Sequence, residues 1–176
     1  MLDRLQQVMR ELPDMLLCPS LWDSLLINRR KPYTYRVFTF LKNGDRICLH
    51  KFDPCDDREA FKHPHPWPGA FILLEGSYRM NEWLSKDRDD KNPVHVSEHI
   101  LERFSQYSIT NPLTWHNVIP LSTAYTIMIN SPPWPPDVAH TEVRTTAGKD
   151  LDKMSQPDLV AHLAHFNHLV HQYLSR

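Results

Sequence analysis

The 176-residue chain has little glycine, little cysteine, no long apolar run and almost no net charge. With four glycines there are few places where the backbone can turn left-handed without cost, so the tight turns are expected at those places. The three cysteines, Cys18, Cys48 and Cys55, form no close pair, and their odd number speaks against a disulfide framework. No apolar stretch approaches the roughly 18 residues that a membrane-spanning helix requires. The start, Met1-Leu2-Asp3-Arg4-Leu5, is amphipathic and lacks the apolar core of a secretory signal, so the cytoplasm is the expected location. A formal net charge of -1 offers no general attraction for nucleic acid or an anionic membrane, and neither is expected as a partner.

Proline is abundant instead. Fifteen prolines confine helices and central strands to the gaps between them. Residues 2–17 read as a helix, with Leu2, Leu5, Met9 and Leu12 at helical spacing and Pro13 interrupting or ending it. Ser20 is a candidate N-cap for a second short helix carrying Leu21, Trp22, Leu25, Leu26 and Ile27. From Tyr33 the period changes. Strand formers run from Tyr33 to Leu41, Asn43-Gly44 signals a hairpin, and the return strand is Arg46 to Phe52. Further strands are expected at 70–74, 77–84, 115–121, 123–130 and 138–145, while 94–107 is ambiguous between strand and helical turn. Ser155, with Pro157 behind it, opens a C-terminal helix whose stripe is Leu159, Leu163, Phe166, Leu169 and Tyr173. Short strands at regular spacing favour a sandwich or barrel over a parallel α/β sheet. The expectation is one domain over 1–176: an all-β core, two N-terminal helices within an arm over 1–30, and a helix over about 156–175.

The chemistry gathers at His63-Pro64-His65-Pro66-Trp67-Pro68-Gly69. In an extended segment alternate side chains share a face, so His63 and His65 can present their rings to one point. His116 precedes another apolar strand and supplies a third ring. The bland alternative is a solvent-exposed proline-rich loop. His162, His165, His168 and His171 form a second ridge, which reads as a polar helix face or as a metal pair at helical spacing. Trp67 and Trp115 flank the histidines as pocket walls or as ordinary core.

His63-x-His65, an apolar strand closing at Gly76, and His116 leading into a strand together resemble the two motifs of the cupin superfamily, over roughly residues 33–145. The resemblance implies a double-stranded β-helix (jelly-roll) barrel with a metal at its centre and a capacity to pair as a homodimer. Cupins usually add a glutamate ligand, and Gly69 stands at that position. Glu75 lies at the far end of the strand, roughly 20 Å away at the rise of an extended chain, too far to replace it. A three-histidine set of His63, His65 and His116 resembles the cysteine dioxygenase-like branch, as does Tyr33-Thr34-Tyr35-Arg36 ahead of the first motif. In that branch such an arginine grips a substrate carboxylate, so Arg36, Tyr35 and Tyr125 become the candidate catalytic residues, with Tyr78, Arg79 and Trp67 as further neighbours. The branch's outer histidine and tyrosine fall at Met128 and Asn130, and the asparagine four residues after the second-motif histidine is Pro120.

The implied function is a mononuclear non-haem Fe(II) dioxygenase acting with O₂ on a small thiol or carboxylate-bearing substrate. Imidazoles alone do not select iron over Zn, Ni, Cu or Mn, and iron comes first through the resemblance. Another cupin enzyme, a diketone-cleaving dioxygenase or metal-dependent isomerase, stays open, as does a non-catalytic small-ligand-binding cupin.

Overall fold

A computed structural model describes residues 1–135, 137, 138 and 151–176. Among these residues are two α-helices and ten strands, arranged as two antiparallel sheets. Helix α1 spans Leu2–Leu16 and runs through Pro13 without a break. A single 3-10 turn, Pro19–Leu21, follows it. The second expected helix is instead strand β1, Asp23–Ile27, paired with β2, Thr34–Phe40. The Leu25-Leu26-Ile27 run is short enough to serve either state, and tertiary contacts decide it. Trp22 is buried and its indole N–H donates to the Met15 carbonyl at 3.0 Å, which ends the helical arm. The Leu26 N–H donates to the Asp152 carbonyl at 2.8 Å, so the free edge of β1 gains a partner from the chain before the second helix.

Strand β3, Arg46–Phe52, returns antiparallel to β2 through the Asn43-Gly44 turn, where Gly44 has φ +84°. Then come β4 (His63–Pro64), β5 (Gly69–Glu75), β6 (Tyr78–Leu84), β7 (Val94–Leu101), β8 (Gln106–Ile109), β9 (Thr114–Pro120) and β10 (Ala124–Asn130). The ambiguous stretch over 94–107 thus holds β7 and the start of β8. The expected strand over 138–145 lies outside the described residues, apart from Val138. The six-stranded sheet has the order β1-β2-β3-β10-β5-β8, and the four-stranded sheet β4-β9-β6-β7. Among the described residues the two sheets stay separate and do not close, so the architecture is consistent with a cupin-like β-sandwich; closure into a barrel, expected from the resemblance, is not seen there.

Helix α2, Gln156–Leu174, begins where the Ser155 side chain accepts the Asp158 N–H. Its buried residues Leu159, Leu163, Phe166, Leu169 and Val170 meet Leu5, Val8, Met9 and Leu12 of α1. Both helices lie on one face of the six-stranded sheet, over Val37, Leu49, Ile72, Leu74, Ile127 and Ile129. Strand β5 is therefore covered on both faces. This explains its unbroken apolar run, which an alternating pattern could not satisfy. The other face of the sheet looks toward the four-stranded sheet, and the candidate site lies there. Gly76 has φ +83° in the turn between β5 and β6, and a Cβ there would collide with the Thr123 carbonyl oxygen.

Candidate metal centre

His63 sits on the two-residue strand β4, directly opposite His116 on β9. His65 follows two residues later and returns to the same side. His63, His65 and Trp67 each precede a proline, which confines their backbones to extended conformations. Local sterics and cross-strand register thus bring three rings together. Their ligand-capable nitrogens lie within 4.8 Å of one another. Ring centroids are 4.5 Å apart for His65 and His116, and 4.7 Å for His63 and His116. The Nε2 atoms of His65 and His116 are 2.7 Å apart, so one imidazole donates to the other. Two nitrogens held about 2.0–2.1 Å from one ion at right angles would sit about 3 Å apart, which requires only a small opening of this pair.

His65 and His116 are buried, whereas His63 keeps part of its surface open toward the mouth. Burial lowers the pKa of His63 to about 4, with a smaller contribution from the Arg36 charge and an opposing one from the Phe61 backbone. Burial takes His65 and His116 well below the ordinary histidine range, with the Arg36 and Arg46 charges adding to it at His65 and the crowding of the other two rings at His116. All three rings are neutral near pH 7, the protonation state a metal ligand needs. The His63 Nδ1 lies 3.2 Å from the Phe61 carbonyl, an acceptor that would fix its tautomer and leave Nε2 as the free lone pair. The Nδ1 atoms of His65 and His116 are buried and have no hydrogen-bond partner. Three neutral imidazoles at this spacing fit a divalent transition metal by donor type and convergence, although two of them have no outer partner to steer them.

The rings border a cavity of about 220 Å³. Its walls include Trp67, Phe71, Tyr107, Val118, Thr126 and Met128, and among the described residues no aspartate or glutamate lines it. Gly69 explains part of this absence. An added Cβ at 69 would lie 3.3 Å from the Phe71 ring, so an aromatic side chain already fills the direction a glutamate there would take. Glu75 is engaged elsewhere, with its Oε2 3.3 Å from His165 Nε2 of α2.

Arg36 reaches the cavity, and its Nε–H donates to His50 Nε2 at 2.8 Å. Burial lowers the guanidinium pKa, and no carboxylate among the described residues pairs with it. Burial also pushes the His50 pKa well below its usual value, followed by the charges of Arg36 and Arg46, so the ring is a neutral acceptor for Arg36. His50 was not among the expected site residues. The Asn43-Gly44 hairpin sets the register Arg36↔His50, and that pairing was the available signal.

The two candidate tyrosines lie apart from this cavity. Tyr35 alternates with Arg36 along β2 and has the Lys51 ammonium 4.5 Å from its ring centroid. Tyr125 packs on the helix side, with ring centroids 4.4 Å from His165 and 5.7 Å from Phe166. Of the further neighbours, Trp67 lines the cavity and carries Arg46 over its ring at 4.6 Å. Tyr78 is buried, and its hydroxyl donates to Tyr107 at 3.2 Å. Arg79 pairs with Asp57 and Glu98 on the far face of its sheet. Met128 lines the cavity, and the Asn130 Oδ1 accepts from Arg46 Nε at 3.2 Å. Trp115 is not among the cavity-lining residues. On the helical ridge, buried His162 is hydrogen-bonded to the Leu49 backbone and His168 contacts Gln172 at 2.8 Å. Among the described residues, the ridge forms no three-ligand cluster.

No protein-family profile and no curated protein sequence matches the chain. Among solved structures it is similar to the hydroxypropylphosphonic acid epoxidase from S. wedmorenis, at 15% identity and a TM-score of 0.50, over 64% of this chain and 56% of that one. A structure of Fe(II)-HppE with the alternative substrate (S)-1-HPP gives 17% identity and a TM-score of 0.45, over 61% and 55%. The chain thus spans little more than half of these proteins, and at such identity the likeness shows the fold. It supports a cupin-like fold and does not bring forward the cysteine dioxygenase-like branch expected from the sequence.

Proposed function

We propose that the protein holds a divalent metal ion, Fe(II) first, on His63, His65 and His116, and acts as a mononuclear non-haem oxygenase on a small anionic substrate. One observation carries the reading: three neutral, convergent imidazoles share a cavity with Arg36 and, among the described residues, with no carboxylate. An ion held by three neutral ligands keeps its positive charge and open positions, and supplies the redox and Lewis-acid chemistry that O₂ and an anionic substrate require. The chain's own residues do the rest. Arg36 offers a planar fork to a carboxylate, phosphonate or similar group, while its Nε is fixed by His50. Trp67, Phe71, Val118 and Met128 exclude water around the reacting atoms.

The substrate, whether a thiol or another carboxylate-bearing molecule, and the dioxygenase outcome belong to the same proposal. Hydroxypropylphosphonic acid, the acid in the neighbour's name, is of the same small anionic class and serves as one probe. Among the described residues the cavity has no carboxylate base, and burial holds the Tyr107 hydroxyl protonated far above its ordinary range. This weighs against an isomerase, which must move a proton between carbon atoms.

The test is metal analysis of protein purified without chelators, followed by O₂ uptake with a panel of small thiols, carboxylic acids and phosphonic acids. One iron per chain and acid-dependent uptake are expected. Protein that stays metal-free after reconstitution refutes the reading. The lack of a carboxylate base among the described lining residues also favours a second reading, a small-ligand-binding protein of the same fold. Metal-loaded protein that binds acids without consuming O₂ would select it.

A further inference from the structure

The cavity has two positive ends, and the proposal above uses only the inner one. Arg36 is inside, beside the triad. At the mouth are Arg30 and Lys31, in the loop joining β1 to β2. Lys31 is already paired, its Nζ 2.7 Å from Glu59 Oε1. Arg30 is exposed, and its guanidinium lies 4.5 Å from the Phe61 ring centroid. Phe61 in turn stacks on His63 at 5.2 Å with an interplanar angle of 8°. A guanidinium, a phenyl ring and a candidate ligand imidazole thus follow one another from the mouth inward. Among the described residues, no carboxylate pairs with Arg30, and no lining residue is acidic.

Spacing separates the two arginines. Arg36 and Thr34 point to the same side of β2, about 7 Å apart along the strand, and Arg30 lies beyond Thr34 in the loop. A ligand with a single acidic group satisfies one arginine. A ligand with acidic groups at both ends of a short carbon chain satisfies both and passes the triad between them. The cavity's apolar middle, formed by Phe52, Phe61, Phe71 and Val118, suits the methylenes of such a chain.

We propose that the substrate is a small dianion, with two carboxylate or phosphonate groups on a short chain, one held by Arg36 inside and the other by Arg30 at the mouth. This rests on the reading that the cavity is the substrate site. It goes further by assigning Arg30 the choice between monoacids and diacids.

Glutarate and pentanoate form a matched pair, since both have five carbons and only glutarate has a second carboxylate. Calorimetric titration of the purified full-length protein should show glutarate binding at least ten-fold more tightly than pentanoate. In Arg30→Gln the glutarate affinity should fall to the pentanoate level, with pentanoate unchanged. In Arg36→Met both should weaken. Lys31→Gln should leave the preference in place, because Glu59 already occupies that cation. Equal affinities in the wild type overturn the inference, as does a preference that survives Arg30→Gln or disappears in Lys31→Gln. The two proposals fail separately. A protein that takes up metal and consumes O₂ with monoacids, but shows no diacid preference, loses only the dianion. A protein that prefers glutarate but consumes no O₂ loses only the oxygenase reading.

Discussion

Replacing His116 with alanine tests the centre by separating two costs. The first is structural and independent of metal. His116 is 3% exposed and its Nε2 shares a hydrogen bond with His65 Nε2 at 2.7 Å. Removing it leaves a buried ring nitrogen unpaired, at about 1–3 kcal/mol, and leaves a void beside Phe71 and Val118. The second cost is the loss of a ligand. If metal binds the folded protein, an ion at one hundred times its dissociation constant stabilises by about 2.7 kcal/mol. Chemical denaturation of wild type and His116→Ala, each with and without Fe²⁺ under anaerobic conditions, gives four numbers. The apo difference measures the structural cost. The wild-type increment on adding metal should approach about 2.7 kcal/mol, and the variant's should be close to zero. An equal metal increment in both proteins would refute the assignment of His116, however unstable the variant. A low apo stability with a preserved increment would show that the ion sits elsewhere.

Burial lowers the pKa of His162 to about 4, with Lys51 and His165 adding repulsion and the Leu49 backbone opposing it. An unfolded histidine binds its proton near 6.5, so the unfolded state takes up more protons between about 6.5 and 4. The contribution of His162 is then fully present above the unfolded value and is lost as pH falls through that window, by about 3 kcal/mol. His162→Leu should flatten the pH dependence relative to wild type, and parallel curves in urea titrations would contradict this. Gly76→Ala should cost about 2–4 kcal/mol in thermal unfolding, since the left-handed turn and the Thr123 carbonyl both reject a side chain; a change below 1 kcal/mol would mean that the turn can move. Gly69→Glu should destabilise by about 1–3 kcal/mol through overpacking against Phe71 without tightening metal binding. Gly69→Glu with Phe71→Ala should bind metal more tightly than either single variant, as measured by competition with a chelator.

The readable parts of the sequence were those where local rules and tertiary packing agree. The Asn43-Gly44 hairpin, the Ser155 cap with Pro157, and the strands over 70–84 and 115–130 follow from turn chemistry and period alone. The histidine cluster was readable because proline fixes an extended backbone around 63–68 and alternation then sets the faces. The helix expected over 20–27 failed because five residues with mixed preference follow whichever neighbour offers hydrogen bonds, and β2 offers them. Barrel closure depends on contacts between strands far apart in sequence, which no local signal carries. Tyr35 could have been excluded by alternation, since it cannot share a side with Arg36. Tyr125 follows the same rule, because Thr126 and Met128 line the cavity. His50 became visible only once the hairpin was placed in register, because a lone histidine between Leu49 and Lys51 has no motif of its own.

The prolines after His63, His65 and Trp67 also act where there is no fold. A proline restricts the residue before it in any chain, folded or not, so the denatured protein keeps His63 and His65 on a stiff, extended tether. If the three histidines bind metal in the folded protein, this pair would offer the ion two ligands before the sandwich forms. Metal held by the unfolded chain subtracts from the stabilisation seen at equilibrium, so the measured increment should fall below its ideal value. His116 reaches the other two rings only through β9, so ligation by it would distinguish the native protein from its unfolded form. The same tether leaves two of the three rings already spaced when β9 brings the third.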